Sequence, residues 1–91
     1  MVGNYRMNVP KKQNVRNVEV KMEISIFRTS VATETNINEL RAMLDILVGA
    51  GNWNFDLEDV DNILRVNYPP HQNNFLANEL RKYGFVCIEL Y

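Results

Sequence analysis

Two helical patterns of apolar residues, each flanked by strand-like patterns, predict the fold of this chain. Residues 18–31 predict a long first strand, because apolar and polar positions alternate along it. Its alternating apolar positions are Val20, Met22, Ile24 and Ile26. The alternation shifts by one residue at Phe27, which begins a second set with Thr29 and Val31. We therefore expect either a β-bulge at this point or cover on both faces of the strand near Ile26 and Phe27.

A helical pattern follows the first strand. Asn36, with Glu39 three positions later, is typical of a helix N-terminus, because the Asn side chain caps a free N–H and the Glu side chain reaches back. The apolar residues that recur at helical spacing are Leu40, Met43, Leu44 and Leu47. We expect this helix to cover residues 37–48 and to end at Gly49 and Gly51, because glycine readily adopts the left-handed conformation.

Residues 51–66, GNWNFDLEDVDNILRV, lie at the centre of the pattern and predict two short strands joined by an acidic turn. The alternating apolar positions of the first strand are Trp53, Phe55 and Leu57. Trp53 begins this alternation, so we expect it to lie against the body of the domain. The turn residues are Asp59, Asp61 and Asn62. The partner strand is predicted over Ile63–Tyr68, with Leu64 and Val66 on one face.

A second helix and a last strand complete the pattern. The helix is predicted to start near His71 and to end at Gly84. Its apolar stripe is Leu76, Leu80 and Tyr83. Residues 85–91 predict the last strand, in which an apolar set alternates with Cys87 and Glu89. The members of this apolar set are Val86, Ile88 and Leu90.

The order strand-helix-strand-strand-helix-strand predicts an α+β protein with a ferredoxin-like βαββαβ sandwich. In this architecture a four-stranded antiparallel sheet carries both helices on one face. We assign the domain to residues 18–91. Residues 1–17 are polar, contain Pro10 and show no period of 2 or 3.6, so we expect a flexible, basic N-terminal arm.

Charge and composition narrow the possible functions. The net charge of −1 over 91 residues argues against nucleic-acid binding. Residues 1–28 carry six basic and two acidic side chains, whereas residues 29–91 carry four and nine. The basic arm is therefore expected to fold back onto the acidic body, the alternative being contact with an acidic partner. No apolar run reaches the roughly 20 residues of a membrane span, no signal-peptide pattern is present, and the single cysteine favours a reducing compartment, so we expect a cytoplasmic protein.

Three blocks of the sequence, in order and at matching spacing, resemble the heavy-metal-associated domain of copper chaperones and copper-pumping ATPases. FRTSV at residues 27–31 is similar to the first-strand FKTNI of bacterial members. WNFDL at 53–57 with ILRV at 63–66 is similar to the W-x-V-D and I-L-x-V strands. LRKYGF at 80–85 is similar to the closing LKKAGF. The resemblance covers residues 25–90 and implies a ferredoxin-like fold.

In that family an M-x-C-x-x-C motif follows the first strand, and its two thiolates bind Cu(I) or a similar soft ion. When Val31 is placed on the apolar residue before the loop, the two cysteine positions fall on Thr33 and Asn36. A hydroxyl and an amide are hard, neutral and weak ligands. The resemblance therefore implies a member of the family that has lost its metal site, and we expect no metal and no cofactor.

Replacement ligands find little support in the sequence. Cys87 is interpreted as a small packing residue and His71 as a solvated residue at a helix start. The four methionines form no M-x-M cluster. The acidic residues of the central turn lack the spacing of a calcium-binding loop, so we interpret them as solvated. A soft-metal chaperone or sensor with non-standard ligands remains the alternative hypothesis.

Enzymatic and RNA-binding functions are also not favoured. The chain contains no G-x-S-x-G, no H-E-x-x-H and no phosphate-binding Gly-rich loop. RNA-recognition domains share the element order, but Trp53 and Phe55 have acidic neighbours, which oppose a polyanion. We expect a non-catalytic protein-interaction or regulatory module. A small-molecule-binding regulatory domain is also compatible with the predicted fold, which does not by itself decide the function.

The predicted interaction surface is the apolar set of the first strand together with the sheet face that the helices leave open. Its residues are Val20, Met22, Ile24 and Ile26. Apolar side chains on an open face need cover, either from a second copy of the chain or from another protein. The alternative is that residues 1–17 fold back and cover this face within one chain.

Overall fold

The computed structural model describes residues 21–90, which form an α+β structure with a four-stranded antiparallel sheet and two helices. The elements in chain order are β1 (Glu23–Thr29), α1 (Glu34–Leu44), a π-helical turn (Asp45–Gly49), β2 (Trp53–Asp56), β3 (Ile63–Tyr68), a 3-10 turn (Pro70–Gln72), α2 (Asn73–Lys82) and β4 (Cys87–Glu89). The strand order β2-β3-β1-β4 is compatible with the expected ferredoxin-like sandwich. Residues 1–17 and positions 18–20 of the predicted first strand lie outside the described residues.

One face of the sheet and both helices enclose the core. The sheet contributes Phe27 from β1, Leu64 and Val66 from β3, and Cys87 from β4. The helices contribute Ile37, Leu40, Leu44, Leu76, Ala77 and Leu80. The sequence correctly predicted this helical face at Leu40, Leu44, Leu76 and Leu80, all 0% exposed. Burial of apolar side chains, these leucines among them, is the main favourable contribution to folding.

The bulge expected in the first strand is absent from its described part. β1 pairs with β3 in one unbroken register, from Glu23 opposite Tyr68 to Arg28 opposite Ile63. Because no residue is inserted, one alternating set faces the helices throughout. That set is Ser25, Phe27 and Thr29. The even-numbered residues point to the opposite face, where Ile24 is 63% exposed and Ile26 is half-buried.

The first helix begins three residues earlier than the sequence indicated. Its N-cap is Thr33, and Asn36, which was predicted to be the cap, occupies the third helical position. The prediction was wrong because the Thr33 hydroxyl and the Asn36 amide form a reciprocal pair that closes the helix end one turn before Ile37. α1 ends at Leu44, earlier than the predicted residue 48, and the π-helical turn that continues it ends at Gly49, whose φ of +106° suits glycine.

The second half of the chain departs from the predictions at its ends. A 3-10 turn covers Pro70–Gln72, so α2 starts at Asn73 and not near His71. Tyr83, predicted in the buried stripe, is the C-cap residue and is 48% exposed, because the helix ends before it. The last strand covers Cys87–Glu89, which is shorter than the predicted residues 85–91, although single backbone bonds at Val86 and Leu90 extend its contact with the first strand; Tyr91 lies outside the described residues. The partner strand Ile63–Tyr68 was predicted correctly.

Candidate functional site

The loop that precedes α1 holds Thr33 and Asn36, the two positions where the resemblance places metal-binding cysteines. The Thr33 Oγ1 accepts a hydrogen bond from the Asn36 backbone N–H at 3.0 Å. The Asn36 Oδ1 accepts from the backbone N–H groups of Ala32 at 3.0 Å and Thr33 at 3.3 Å. Together these bonds satisfy the backbone N–H groups of the N-cap residue and of the third helical position, which have no intrahelical partner, and one further N–H in the preceding loop.

In this arrangement the side chains of Thr33 and Asn36 are both hydrogen-bonded to the backbone. A cation would have to be bound by the Thr33 Oγ1 and the Asn36 Oδ1, and both oxygen atoms already accept hydrogen bonds from backbone N–H groups. Neither oxygen is a soft ligand. Within residues 21–90, no group of three or more His, Cys, Asp or Glu side chains is placed to hold a metal ion. The loop therefore functions as a helix cap in this chain.

Cys87 and His71, the other two candidate ligands, lie in opposite environments. Cys87 is 0% exposed in the core, as predicted, and burial raises the pKa of its thiol from 9.0 to about 11, although the positive charge of Arg81 opposes the shift. A thiol in this state is neither an available ligand nor a nucleophile at neutral pH. His71 is exposed on the 3-10 turn, so the two side chains share no accessible surface.

The sheet face opposite the helices carries an apolar patch, which we call the open face patch and define as Ile24, Ile26, Val86, Ile88 and Leu90. The register of the two neighbouring strands brings these residues together. Arg28 lies opposite Ile88, and the Leu90 N–H donates to the Ile26 carbonyl at 2.7 Å. Exposure is 63% at Ile24, 52% at Val86 and 40% at both Ile88 and Leu90. Clustered exposed aliphatic side chains of this kind mark interaction surfaces.

The other half of the same face is polar and internally paired. Arg65 on β3 donates to Asn54 Oδ1 at 3.0 Å and to Asp56 Oδ2 at 3.2 Å on β2. Asn67 lies opposite Ile24 on the neighbouring strand. The open face is thus divided into an apolar half on β1 and β4 and a mainly polar half on β2 and β3, where Ile63 is apolar but only 7% exposed. This division resembles the core and rim of a protein interface.

A groove of about 420 Å³ runs between α1 and the outermost strand β2. The Trp53 indole N–H donates to Asp45 Oδ1 at 2.8 Å, and the Arg41 guanidinium lies 5.6 Å from the Trp53 ring centroid. Phe55 makes an edge-to-face contact with Trp53, with ring centroids 5.9 Å apart. Trp53 is packed against the core, as predicted from the sequence.

Of the residues that the sequence analysis placed on one interaction surface, Ile24 and Ile26 lie together on the open face of the sheet. Ile24 is strongly exposed, Met22 is 47% exposed just before β1, and Ile26 is half-buried, whereas Val20 lies outside the described residues. The sequence analysis did not assign the β4 residues to this surface. The signal that sequence reasoning missed is that β1 and β4 each contain apolar residues at the positions between the aliphatic ones, and these intervening residues are able to fill the core. Phe27 and Cys87, at 0% exposure, take the core positions and leave the more obvious aliphatic sets outside.

Comparison of the chain with protein-family models, with curated proteins and with solved structures finds no match. In the part of the chain from Lys21 to Leu90, no helix is both long enough and apolar enough to cross a membrane.

Proposed function

We propose that this chain is a non-catalytic protein-interaction module of ferredoxin-like fold, related to heavy-metal-associated domains, that has exchanged its metal loop for a helix cap. The observation that carries the proposal is the open face patch, in which four aliphatic side chains are between 40% and 63% exposed. Their partner in this proposal is a second copy of the chain, because a symmetric dimer is the simplest closed arrangement of one self-complementary face.

The helix cap supports the loss of metal binding. Soft ions are held by thiolates, and the two positions that would supply them are engaged with the backbone N–H groups of the loop and the first helical turn. Cys87 does not compensate, because its side chain is enclosed in the core. The interaction function proposed here therefore requires no ion.

The division of the open face supports a protein partner. The open face patch offers apolar area that a partner can bury. The polar side chains next to it, Arg65, Asn54 and Asp56, are hydrogen-bonded to one another and need no new partner when the patch is covered. Arg28, which lies between Ile26 and Ser30 on the same face, adds one cation next to the patch. A contact of this composition is expected to tolerate salt better than a contact based on exposed ion pairs, because salt screens charges and not aliphatic burial.

The test is the mass of the intact chain by light scattering over a range of concentrations. The chain is expected to form a dimer, and Ile24→Lys is expected to make it monomeric, because burial of a charge within an apolar contact is strongly unfavourable. Ile46→Lys is the matched control, since Ile46 is 81% exposed on the π-helical turn, away from the patch. A wild-type chain that stays monomeric at high micromolar concentration would contradict the proposal.

A chelator-competition titration with Cu(I) tests the second half of the proposal. We expect the chain to bind the ion no better than a generic protein surface. Stoichiometric submicromolar binding would instead support a metal chaperone or sensor with non-standard ligands.

A further inference from the structure

The outer edge of β2 has the geometry of a strand that accepts another strand. β2 lies at the end of the sheet, next to β3 only. The Asn67 N–H donates to the Asn52 carbonyl at 2.8 Å, and Asn54 lies opposite Arg65. In an antiparallel pair, every second residue directs its backbone N–H and C=O groups to the partner strand. Asn52 and Asn54 therefore face β3, and the backbone groups of Trp53 and Phe55 point away from it. Outward N–H and C=O groups on an edge strand are a template for strand addition.

The side chains beside this edge form a place for an added strand to pack. Trp53 and Phe55 lie on the core side of β2 and, with Ile37 of α1, line the groove of about 420 Å³. The Trp53 ring is held in place by its hydrogen bond to Asp45 and by the Arg41 guanidinium. A segment paired with β2 would therefore place alternate side chains in a preformed groove that has aromatic and aliphatic walls and a charged rim.

The net negative charge of the described residues comes from this groove and, in larger part, from the turn that follows β2. Residues 21–90 contain six basic and ten acidic side chains, for a net charge of −4. Three charged residues line the groove and three more lie in the turn that follows β2, and these six together carry the whole net charge of −4. They are Glu34, Arg41, Asp45, Glu58, Asp59 and Asp61. The groove lining accounts for −1 and the turn for −3, and the remaining charges of the described residues cancel, so the electrostatic potential at this end of β2 favours a basic segment.

We propose that this edge groove is occupied by the chain's own basic segment, residues 11–17, which adds to β2 as an antiparallel fifth strand. The segment KKQNVRN contains three basic residues and no acidic residue. It complements the charge of the groove, and attachment to β1 keeps its local concentration high. This proposal does not depend on the dimer proposed above, because it uses the β2 edge and not the open face patch.

The connection is long enough and fixes the strand direction. Glu23 pairs with Tyr68, and Asn67 bonds to Asn52, so β1 and β2 start at the same end of the sheet. The new strand lies three strand spacings from β1, about 14 Å. Five residues, the number from 18 to 22, are enough to bridge this distance, since an extended chain covers about 3.3 Å per residue.

From residue 17 backwards the segment then follows β2 towards the acidic turn, which makes the pairing antiparallel. In this proposed pairing Lys11 and Lys12 are expected to approach Glu34 and Glu58, and Arg16 is expected to be closer to Asp45. Pro10 ends the pairing, because proline lacks a backbone N–H.

The test measures amide hydrogen exchange at Trp53 and Phe55 in the intact chain, with Leu64 on the inner strand β3 as the reference. Both outward amides are expected to be protected in the wild type. Reversal of two arm charges in Lys11→Glu/Lys12→Glu is expected to accelerate their exchange about 5- to 30-fold, the effect of about 1–2 kcal/mol of lost ion pairing, and to leave Leu64 unchanged. The proposal would be overturned if the exchange rates of Trp53 and of Phe55 were the same in the variant as in the wild type.

A charge swap tests the pairing itself. Glu34→Lys/Glu58→Lys is expected to reduce the protection to the same degree, and combining it with the reversed arm is expected to restore it. Glu39→Lys is the matched control, because Glu39 is exposed on the same helix and does not line the groove. Failure of the combined variant to recover protection would overturn the proposal.

Two further readouts identify the occupant. Trp53 is the only tryptophan of the chain, so its fluorescence emission reports on the groove. At about 1 M salt the Debye length is about 3 Å, which screens the ion pairs. The emission of the wild type is therefore expected to shift towards the emission of the reversed-arm variant. Protection that rises with protein concentration would assign the groove to a second copy and overturn the intramolecular form. Protection that does not change with concentration supports it.

Discussion

The helix cap at Thr33 offers a measurable test of how this loop is stabilised. Thr33→Ala removes the hydroxyl that accepts the Asn36 N–H at 3.0 Å. It also removes one side of the reciprocal pair, which leaves the Asn36 side chain less firmly placed against the N–H groups of Ala32 and Thr33. Loss of a Thr N-cap costs about 0.5–2 kcal/mol. Because these groups are exposed and water replaces the lost partner, we expect about 1 kcal/mol.

The free energy of unfolding from urea titration is the measurement. A loss of about 1 kcal/mol corresponds to a fall in Tm of about 4–8 °C for a domain of this size. Thr33→Ser keeps the hydroxyl and is expected to restore most of the stability. Thr35→Ala is the matched control, since Thr35 is exposed in the same helical turn and alanine has the higher helix propensity there.

The two halves of the cap are expected to be coupled. Asn36→Ala should cost a similar amount, and the double variant should cost less than the sum, because each substitution already disables part of the other's bonds. If Thr33→Ala is no less stable than Thr35→Ala, the capping box contributes nothing measurable, and the physical account of this loop is wrong.

Three further outcomes are expected. Leu44→Ala and Leu80→Ala should each cost about 2–5 kcal/mol in urea unfolding, because both side chains are 0% exposed, and a cost below about 1 kcal/mol at both sites would mean that the core assignment is wrong. The raised pKa of Cys87 favours the folded state fully below pH 9.0, and this contribution should be lost as the pH rises towards about 11; a Cys87→Ala variant with the same pH dependence of unfolding would contradict it. Thr33→Cys/Asn36→Cys should gain affinity for Cu(I) while losing the stability of the cap, and unchanged affinity would show that the loop no longer has the shape of a metal site.

The element order was predictable from local pattern. The partner strand Ile63–Tyr68 was predicted with its correct bounds, and the buried leucines of both helices were identified from their spacing. These predictions succeed because a short apolar strand between turn residues, or an apolar stripe of period 3.6, has few other ways to bury its side chains. The start of α1 was less accurate, since Thr33 and Asn36 both favour an N-cap and only their mutual hydrogen bonds decide between them.

The face of each strand required the tertiary structure. Phe27 and Ile26, or Cys87 and Ile88, are neighbours that point to opposite faces, and both members of each pair are apolar. The unbroken register with β3 and the space beneath the helices decide that Phe27 and Cys87 are enclosed. The open face patch is a consequence of that choice, so the sequence analysis identified Ile24 but did not include Val86, Ile88 or Leu90.

The sequence by itself determined the α+β class, the order of the elements, the residues of the helical core and the absence of thiolates from the loop before α1. Each of these depends on residue type or on spacing within one element. The tertiary structure alone decided which strand faces remain outside, how Thr33 and Asn36 bond, and where the β2 edge meets α1. These features depend on distances between segments far apart in the chain, because a strand with apolar residues on both faces becomes one-sided only when a helix packs against it.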